Sequence, residues 1–148
     1  MQAASDEALS GVRDGHGGPF GAVVVRGDEV IGRGHNSVVT TTDPTAHAEV
    51  VAIRDACRRL GRFDLSDCDL YTTCEPCPMC YAAAWWARIR TIYYGCDRHD
   101  AAEAGFDDKA IYDDLESGDR RIRTIQTDRD LGLIPMDAWK RRPDRVQY

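Results

Sequence analysis

Apolar residues along this chain change period several times, and each change marks an element. Phe20–Val25 is a short run of β-formers, Arg26-Gly27-Asp28 carries turn chemistry, and Val30–Gly34 resumes a strand, so a β-hairpin is predicted. In "DPTAHAEVVAIRDACRRLG", Val50, Ile53, Cys57 and Leu60 recur at helical spacing. Asp43 reads as the cap of that helix, Pro44 as its first position and Gly61 as its end. "CDLYTT" predicts a strand, "PMCYAAAWWAR" a helix and "IRTIYYG" another strand. "DDKAIYDDLES" then predicts a short helix, "RIRTIQT" a strand and "MDAWKRR" a last helical turn, while Asp6–Val12 is weakly helical. Alternation of this kind predicts a sheet covered by helices. The expected architecture is α/β, a three-layer αβα sandwich whose central sheet is mixed: antiparallel at the hairpin, parallel where helices connect strands.

Composition narrows the class. The chain has 148 residues, 43% hydrophobic and 30% charged, which suits a single domain with a substantial core. No apolar run approaches the ~20 residues of a membrane span. "MQAASDEALS" has no basic stretch followed by an apolar core, so no signal peptide and a cytoplasmic location are expected. The formal net charge of −6 argues against a nucleic-acid partner, and the basic "WKRRPDR" reads as a solvated tail.

Three of the six cysteines fall in "TCEPCPMC", Thr73 to Cys80, a clustering that favours metal binding or catalysis over a disulfide framework. Pro78 disfavours a helical conformation at Cys77, making Cys77 a cap residue with Pro78 opening the helix. Cys80 lies three positions on and meets Cys77 on one helix face, while Cys74 ends the preceding strand. The helix N-terminus lowers thiol pKa and favours the metal-binding thiolate. Among the four histidines, His47 is best placed, in the first turn of the other strong helix and two residues before Glu49. A His-Cys-Cys set leaves one tetrahedral position open, the arrangement of a catalytic rather than structural zinc. Glu49 is then a general base and not a ligand. Two other readings stay open here: a redox C-x-x-C, and a closed site of Cys74, Cys77, Cys80 and His47. Cys57, Cys68, Cys96 and Cys74 read as small buried residues, with a supporting role at the metal open for Cys74. His16 and His99 read as loop histidines.

His47-Ala48-Glu49 with Pro76-Cys77-Pro78-Met79-Cys80 is the H-x-E…P-C-x-x-C signature of zinc-dependent deaminases. The chain resembles the cytidine deaminase-like superfamily, and within it the small bacterial guanine deaminases, through "GGPFGAVVV", "DPTAHAEVVAIRDAC", "CEPCPMC", "WAR" and "DAAEAGFDD". The resemblance runs from about Gly17 to Tyr112, and "EAGFDD" sets it apart from tRNA adenosine deaminases. It implies one Zn²⁺ per subunit on His47, Cys77 and Cys80, zinc hydroxide attacking C2 of guanine, and Glu49 shuttling protons to give xanthine and ammonia. It also implies Phe20 stacking on the base, Asn36 binding it, Trp86 lining the pocket, Asp107 in substrate binding, Asp108 on the purine edge and assisting proton transfer, and Tyr148 closing the site. A role in purine catabolism follows. A homodimer is implied, with the tail from about residue 128 to 148 exchanged between subunits. The tail departs from the family pattern in several places, and the N-terminus is shorter than the family's.

Each implied role has a plainer competitor. Phe20 could be a core residue at a strand start, Asn36 a turn residue, Trp86 core filling, and Asp107 or Asp108 a helix cap. The family framework also accommodates guanosine, cytidine or cytosine, and aminotriazines. A tRNA adenosine deaminase is a further alternative, and a zinc-stabilised interaction module is the non-enzymatic one.

Overall fold

Small residues decide how closely the layers approach. A Cβ on Gly21 would lie 2.1 Å from the Ala4 carbonyl oxygen and 2.4 Å from the Ala8 nitrogen. One on Gly34 would lie 2.5 Å from the Ala48 oxygen and 2.6 Å from the Ala52 nitrogen. Glycine therefore lets helix backbone rest directly on strand backbone on both faces of the sheet.

The computed structural model describes residues 1–106, 108–117 and 121–146. Its elements in chain order are α1 (Gln2–Arg13), β1 (Gly21–Arg26), β2 (Glu29–His35), α2 (Val38–Thr41), α3 (Ala48–Leu60), β3 (Asp69–Cys74), α4 (Pro78–Trp86), β4 (Thr91–Cys96), α5 (Arg98–Glu103), α6 (Lys109–Ser117) and α7 (Arg129–Arg141). The sheet order is β2-β1-β3-β4. β1 pairs antiparallel with β2 and β3, and β3 pairs parallel with β4. Gly21 abuts α1 on one face, while Gly34 abuts α3 on the other. The main core lies beneath α3 and α4, where Ala22, Val24, Ala48, Ala52, Leu70 and Ala84 pack together. The αβα sandwich with a mixed sheet is thus the observed fold. Among the described residues, no helix is long and apolar enough to cross a membrane.

Several expectations need correction. α3 begins at Ala48 with His47 as its N-cap, not at Asp43. The Asp43 carboxylate instead accepts from the Thr45 backbone nitrogen (2.8 Å) and hydroxyl (2.7 Å), closing a local turn that competes with the helix. Gly61 ends α3 as expected, at φ 65°. "RIRTIQT" forms no strand: no described strand pairs with the outer edge of β4, and Ile122 and Ile125 are exposed. α7 is a full helix of 13 residues, although none of its residues is buried. Cys96 is exposed and Cys57 partly so, whereas Cys68 and Cys74 are buried. α5 was not anticipated, yet its signal was present. The Asp97 side chain accepts from the backbone nitrogens of His99 and Asp100, and the Asp100 side chain reaches back to the Asp97 nitrogen, a capping box.

Candidate active site and metal centre

Two helix starts meet here. His47, the N-cap of α3, has extended backbone at φ −71° and ψ 154°. Cys77, the N-cap of α4, is extended at φ −64° and ψ 167°, as the following Pro78 requires. Cys80 then falls one turn into α4. His47 Nδ1 lies 3.7 Å from Cys77 Sγ and 3.6 Å from Cys80 Sγ. These separations test whether the donors suit zinc. Tetrahedral Zn–S and Zn–N bonds of ~2.3 and ~2.05 Å put the sulfur and nitrogen ligand atoms ~3.6 Å apart. The three residues fit that geometry, and they are the one such metal-capable group among the described residues. Cys74 stays outside it: its buried thiol donates to the Asp97 carbonyl oxygen at 3.5 Å. Burial first, then the neighbouring Cys96, pushes that thiol up to about 11, away from the thiolate form.

The two candidate ligand thiols are electrostatically unequal. The Cys80 thiol donating to Cys77, supported by His47, holds Cys77 down at about 4 despite burial. Cys80 is raised far above an ordinary thiol because it keeps the shared proton and is buried. Hydrogen bonding to Cys77 raises His47. Glu49 is 6% exposed. Its Oε2 accepts from Cys80 Sγ at 3.4 Å. Burial raises the Glu49 pKa, so its carboxyl holds a proton more readily than a solvated glutamate.

A cleft of about 250 Å³ opens over these groups, with Phe20, Asn36, His47, Glu49, Cys77 and Asp108 in its walls. A larger groove of about 980 Å³ runs along α4 and β4 past Tyr81, Trp85 and Tyr94, and among the described residues it holds no metal-capable group. The chemistry therefore selects the smaller cleft. Asn36 is 5% exposed. Its Oδ1 accepts from the backbone nitrogens of Gly18 (3.2 Å) and Val38 (3.3 Å). With the carbonyl end occupied, the amide has N–H donors left to offer.

The structure thus brings Phe20, Asn36, His47, Glu49, Cys77, Cys80 and Asp108 to one place. Trp86 does not join them: it is 61% exposed at the end of α4 and lines neither cavity. Asp107 and Tyr148 lie outside the described residues. Phe106 and Glu75 are among the cleft residues that escaped the sequence reading. Phe106 meets Phe20 edge-on with ring centres 4.9 Å apart, and its signal was an aromatic beside the acidic pair of "GFDD". Glu75 lies in the cleft wall while Arg98 holds its carboxylate, an arrangement with no sequence-spacing signal.

The model of the zinc-binding region of cytidine and deoxycytidylate deaminases matches residues 1–96. This chain belongs to that family. It is a zinc-dependent aminohydrolase, and its His47-Cys77-Cys80 group is the candidate site for the zinc. The chain is 48% identical to the guanine deaminase of Bacillus subtilis (strain 168) over 143 residues, 95% of this chain and 92% of the relative. The X-ray structure of the B. subtilis enzyme superposes with a TM-score of 0.94 at 47% identity, covering 99% of this chain and 95% of the other. A guanine deaminase from Nitrosomonas europaea gives a TM-score of 0.69 at 32% identity, over 73% and 63% of the two chains. Similarity to the tRNA-specific adenosine deaminase of Aquifex aeolicus is 49% but spans only 76 residues, 51% of this chain and 50% of the relative.

Proposed function

We propose that this aminohydrolase converts guanine and water to xanthine and ammonia. The observation that carries the reading is the likeness to guanine deaminase along almost the whole chain, past the metal motif and through "EAGFDD". The tRNA-specific adenosine deaminases of Aquifex aeolicus and Buchnera aphidicola match 51% and 71% of the chain, against 95% for guanine deaminase.

The chain's residues suit the reaction. Asn36, with Oδ1 held by backbone donors, presents N–H groups that suit a ring carbonyl oxygen. Asp108 supplies an acceptor for the N–H groups of the purine edge. Phe20, backed by Phe106, offers a ring against which the base stacks. A zinc ion on His47, Cys77 and Cys80 supplies Lewis acidity that brings the pKa of water near ~7. Glu49 takes a proton from the attacking water and delivers it to the ring nitrogen beside C2. It carries the second proton to the departing amine. The C2–O bond forms, the C2–N bond breaks, and ammonia leaves. A carboxyl whose pKa is raised by burial suits this work, since it must hold the proton between the two transfers.

The whole chain reads as one domain acting as a homodimer with exchanged C-terminal segments. α7 exposes Leu131, Ile134 and Met136 and buries nothing, while α4 and β4 expose Tyr81, Trp85, Trp86, Tyr93 and Tyr94. Apolar surfaces of this kind suit a second copy. In that arrangement Trp86, which lies away from the cleft of its own chain, and Tyr148 complete a cleft of the dimer.

A substrate panel with coupled ammonia detection and zinc analysis tests the reading. Guanine turnover at one zinc per chain is expected. Robust turnover of guanosine or cytidine with none of guanine overturns the substrate and keeps the chemistry. Full zinc occupancy with no turnover of any amino-heterocycle overturns the catalytic reading.

A further inference from the structure

The connection between β3 and α4 is gripped from outside the metal group. Glu75 and Pro76 fill the interval between Cys74 and Cys77. The Glu75 carboxylate accepts from Arg98 Nη2 (2.5 Å), Arg98 Nε (3.1 Å) and the Arg98 backbone nitrogen (3.2 Å). The Arg98 guanidinium carbon lies 4.3 Å from the centre of the Tyr112 ring. The Tyr112 hydroxyl donates to the Pro76 carbonyl oxygen at 3.1 Å. The chain of contacts runs from the metal loop, through the first residue of α5, to α6, and returns to the metal loop.

Its position relative to the cleft is what matters. α6 has no buried residue, so apolar packing does not fix it to the sheet. Tyr112 is its half-buried aromatic, and Asp108 immediately precedes the helix, one turn before Tyr112. The ion pair is shielded, with side-chain exposures of 33% for Arg98 and 20% for Glu75, and the fork grips with both Nε and Nη2. A bidentate arginine of this kind fixes geometry as well as charge. The aromatic ring held over it transmits that geometry to α6.

We propose that Tyr112, with Arg98 and Glu75, is a positioning group that sets where Asp108 stands over the cleft by tying α6 to the loop that carries Cys77. The assignment rests on the role given to Asp108 above. None of the three needs to touch the substrate. Their effect on the reaction passes through Asp108, and their effect on the metal is small, because Cys77 is independently fixed by Pro78 and the start of α4.

The test is a double-mutant cycle on the full-length, zinc-loaded protein with Tyr112→Phe, Asp108→Asn and both together. Tyr112→Phe keeps the ring over Arg98 and removes only the bond to Pro76. Kinetics are run on guanine or, if the wild type ignores guanine, on the amino-heterocycle it turns over fastest. The wild type then judges the substrate reading, and the mutant ratios judge the clamp. Expected for Tyr112→Phe is a fall of about tenfold in kcat/KM, the effect of one lost positioning hydrogen bond, at wild-type zinc content. Asp108→Asn falls further, and the double mutant matches Asp108→Asn within about twofold, because the second change has nothing left to position. Arg98→Lys keeps the charge, loses the fork and shows the same dependence on Asp108. A merely structural clamp lowers the melting temperature and gives multiplicative losses in the double mutant, which overturns the proposal. So does Tyr112→Phe at wild-type kcat/KM, or its loss of activity in proportion to lost zinc.

Discussion

Replacing Glu49 by glutamine separates catalysis from stability in a way the structure makes quantitative. Glu49 is 6% exposed, and its Oε2 meets Cys80 Sγ at 3.4 Å. Glutamine fills the same volume and its Oε1 keeps an acceptor for that contact, but it cannot take or hold a proton. General acid–base catalysis contributes about 10²- to 10⁴-fold, so kcat should fall by at least that range, about 2.7 to 5.4 kcal/mol in barrier height. Zinc content should stay at the wild-type level, because the ligand group does not include Glu49. Stability of the metal-free protein should move the other way. Burial raises the Glu49 pKa above its unfolded value of 4.5, so the folded protein favours the protonated form. The penalty for ionising it is absent below pH 4.5, grows as pH rises, and is complete above the raised folded value. Glu49→Gln should therefore melt higher than wild type at neutral pH after chelation, with the gap closing toward pH 4.5. Ammonia release, zinc analysis and thermal melts across pH make the measurement. A variant that keeps more than a tenth of wild-type kcat with full zinc would refute the assignment of Glu49 as the proton carrier. A variant that loses its zinc would recast Glu49 as a support for the ligands.

Further perturbations probe other parts of the site. Asn36→Asp keeps an oxygen for Gly18 and Val38 but replaces the free N–H donors with an acceptor, so kcat/KM for guanine should fall about 100-fold at unchanged zinc content. Gly34→Ala drives a Cβ against Ala48 and Ala52 backbone and should cost about 1–3 kcal/mol in denaturant melts. Since α3 follows directly from His47, that variant should also release zinc at a lower chelator concentration than wild type. Arg98 holds Glu75 below its ordinary value of 4.5, so the pair's contribution is present above that pH and is lost as pH falls through the lowered folded value. The melting-temperature deficit of Arg98→Gln should accordingly be full at pH 7 and shrink below pH 4.5, and a deficit independent of pH would refute the ion pair as its source.

How much of this was legible in the sequence depended on the range of the interaction. The hairpin, β3, α4 and β4 follow from local period and turn residues, and Cys77 takes the extended backbone that Pro78 alone dictates. His47 was legible as a ligand from its distance to Glu49, but not as an N-cap. The Asp43 turn that delays α3 depends on a side chain competing for Thr45, and sequence preference puts Asp at either a cap or a turn. "RIRTIQT" carries a sound strand pattern, yet a strand needs an edge to pair with, and pattern alone does not say whose edge. Trp86 came with its family motif and stands on the surface. Arg98 and Tyr112 are 23 and 37 residues from Glu75, so nothing local announces their contact.

The charges in the site separate because two helices begin there. Each start leaves unpaired backbone N–H groups, and His47 and Cys77 occupy the two N-caps. The resulting positive potential favours the Cys77 thiolate and would favour negative charge developing on a bound ring. Burial works in the opposite sense on Glu49 in the first turn of α3, raising its pKa while Cys77 is held low. The candidate ligand and the proposed proton carrier are therefore tuned apart within one small volume, although both are acids. That division depends on α3 and α4 starting at the same level. Gly34 seats α3 against β2, and the register of β3 against β4 brings Cys74 level with Cys96 just before the metal loop. The backbone packing of the sandwich is thus what gives the H-x-E and P-C-x-x-C motifs their chemistry.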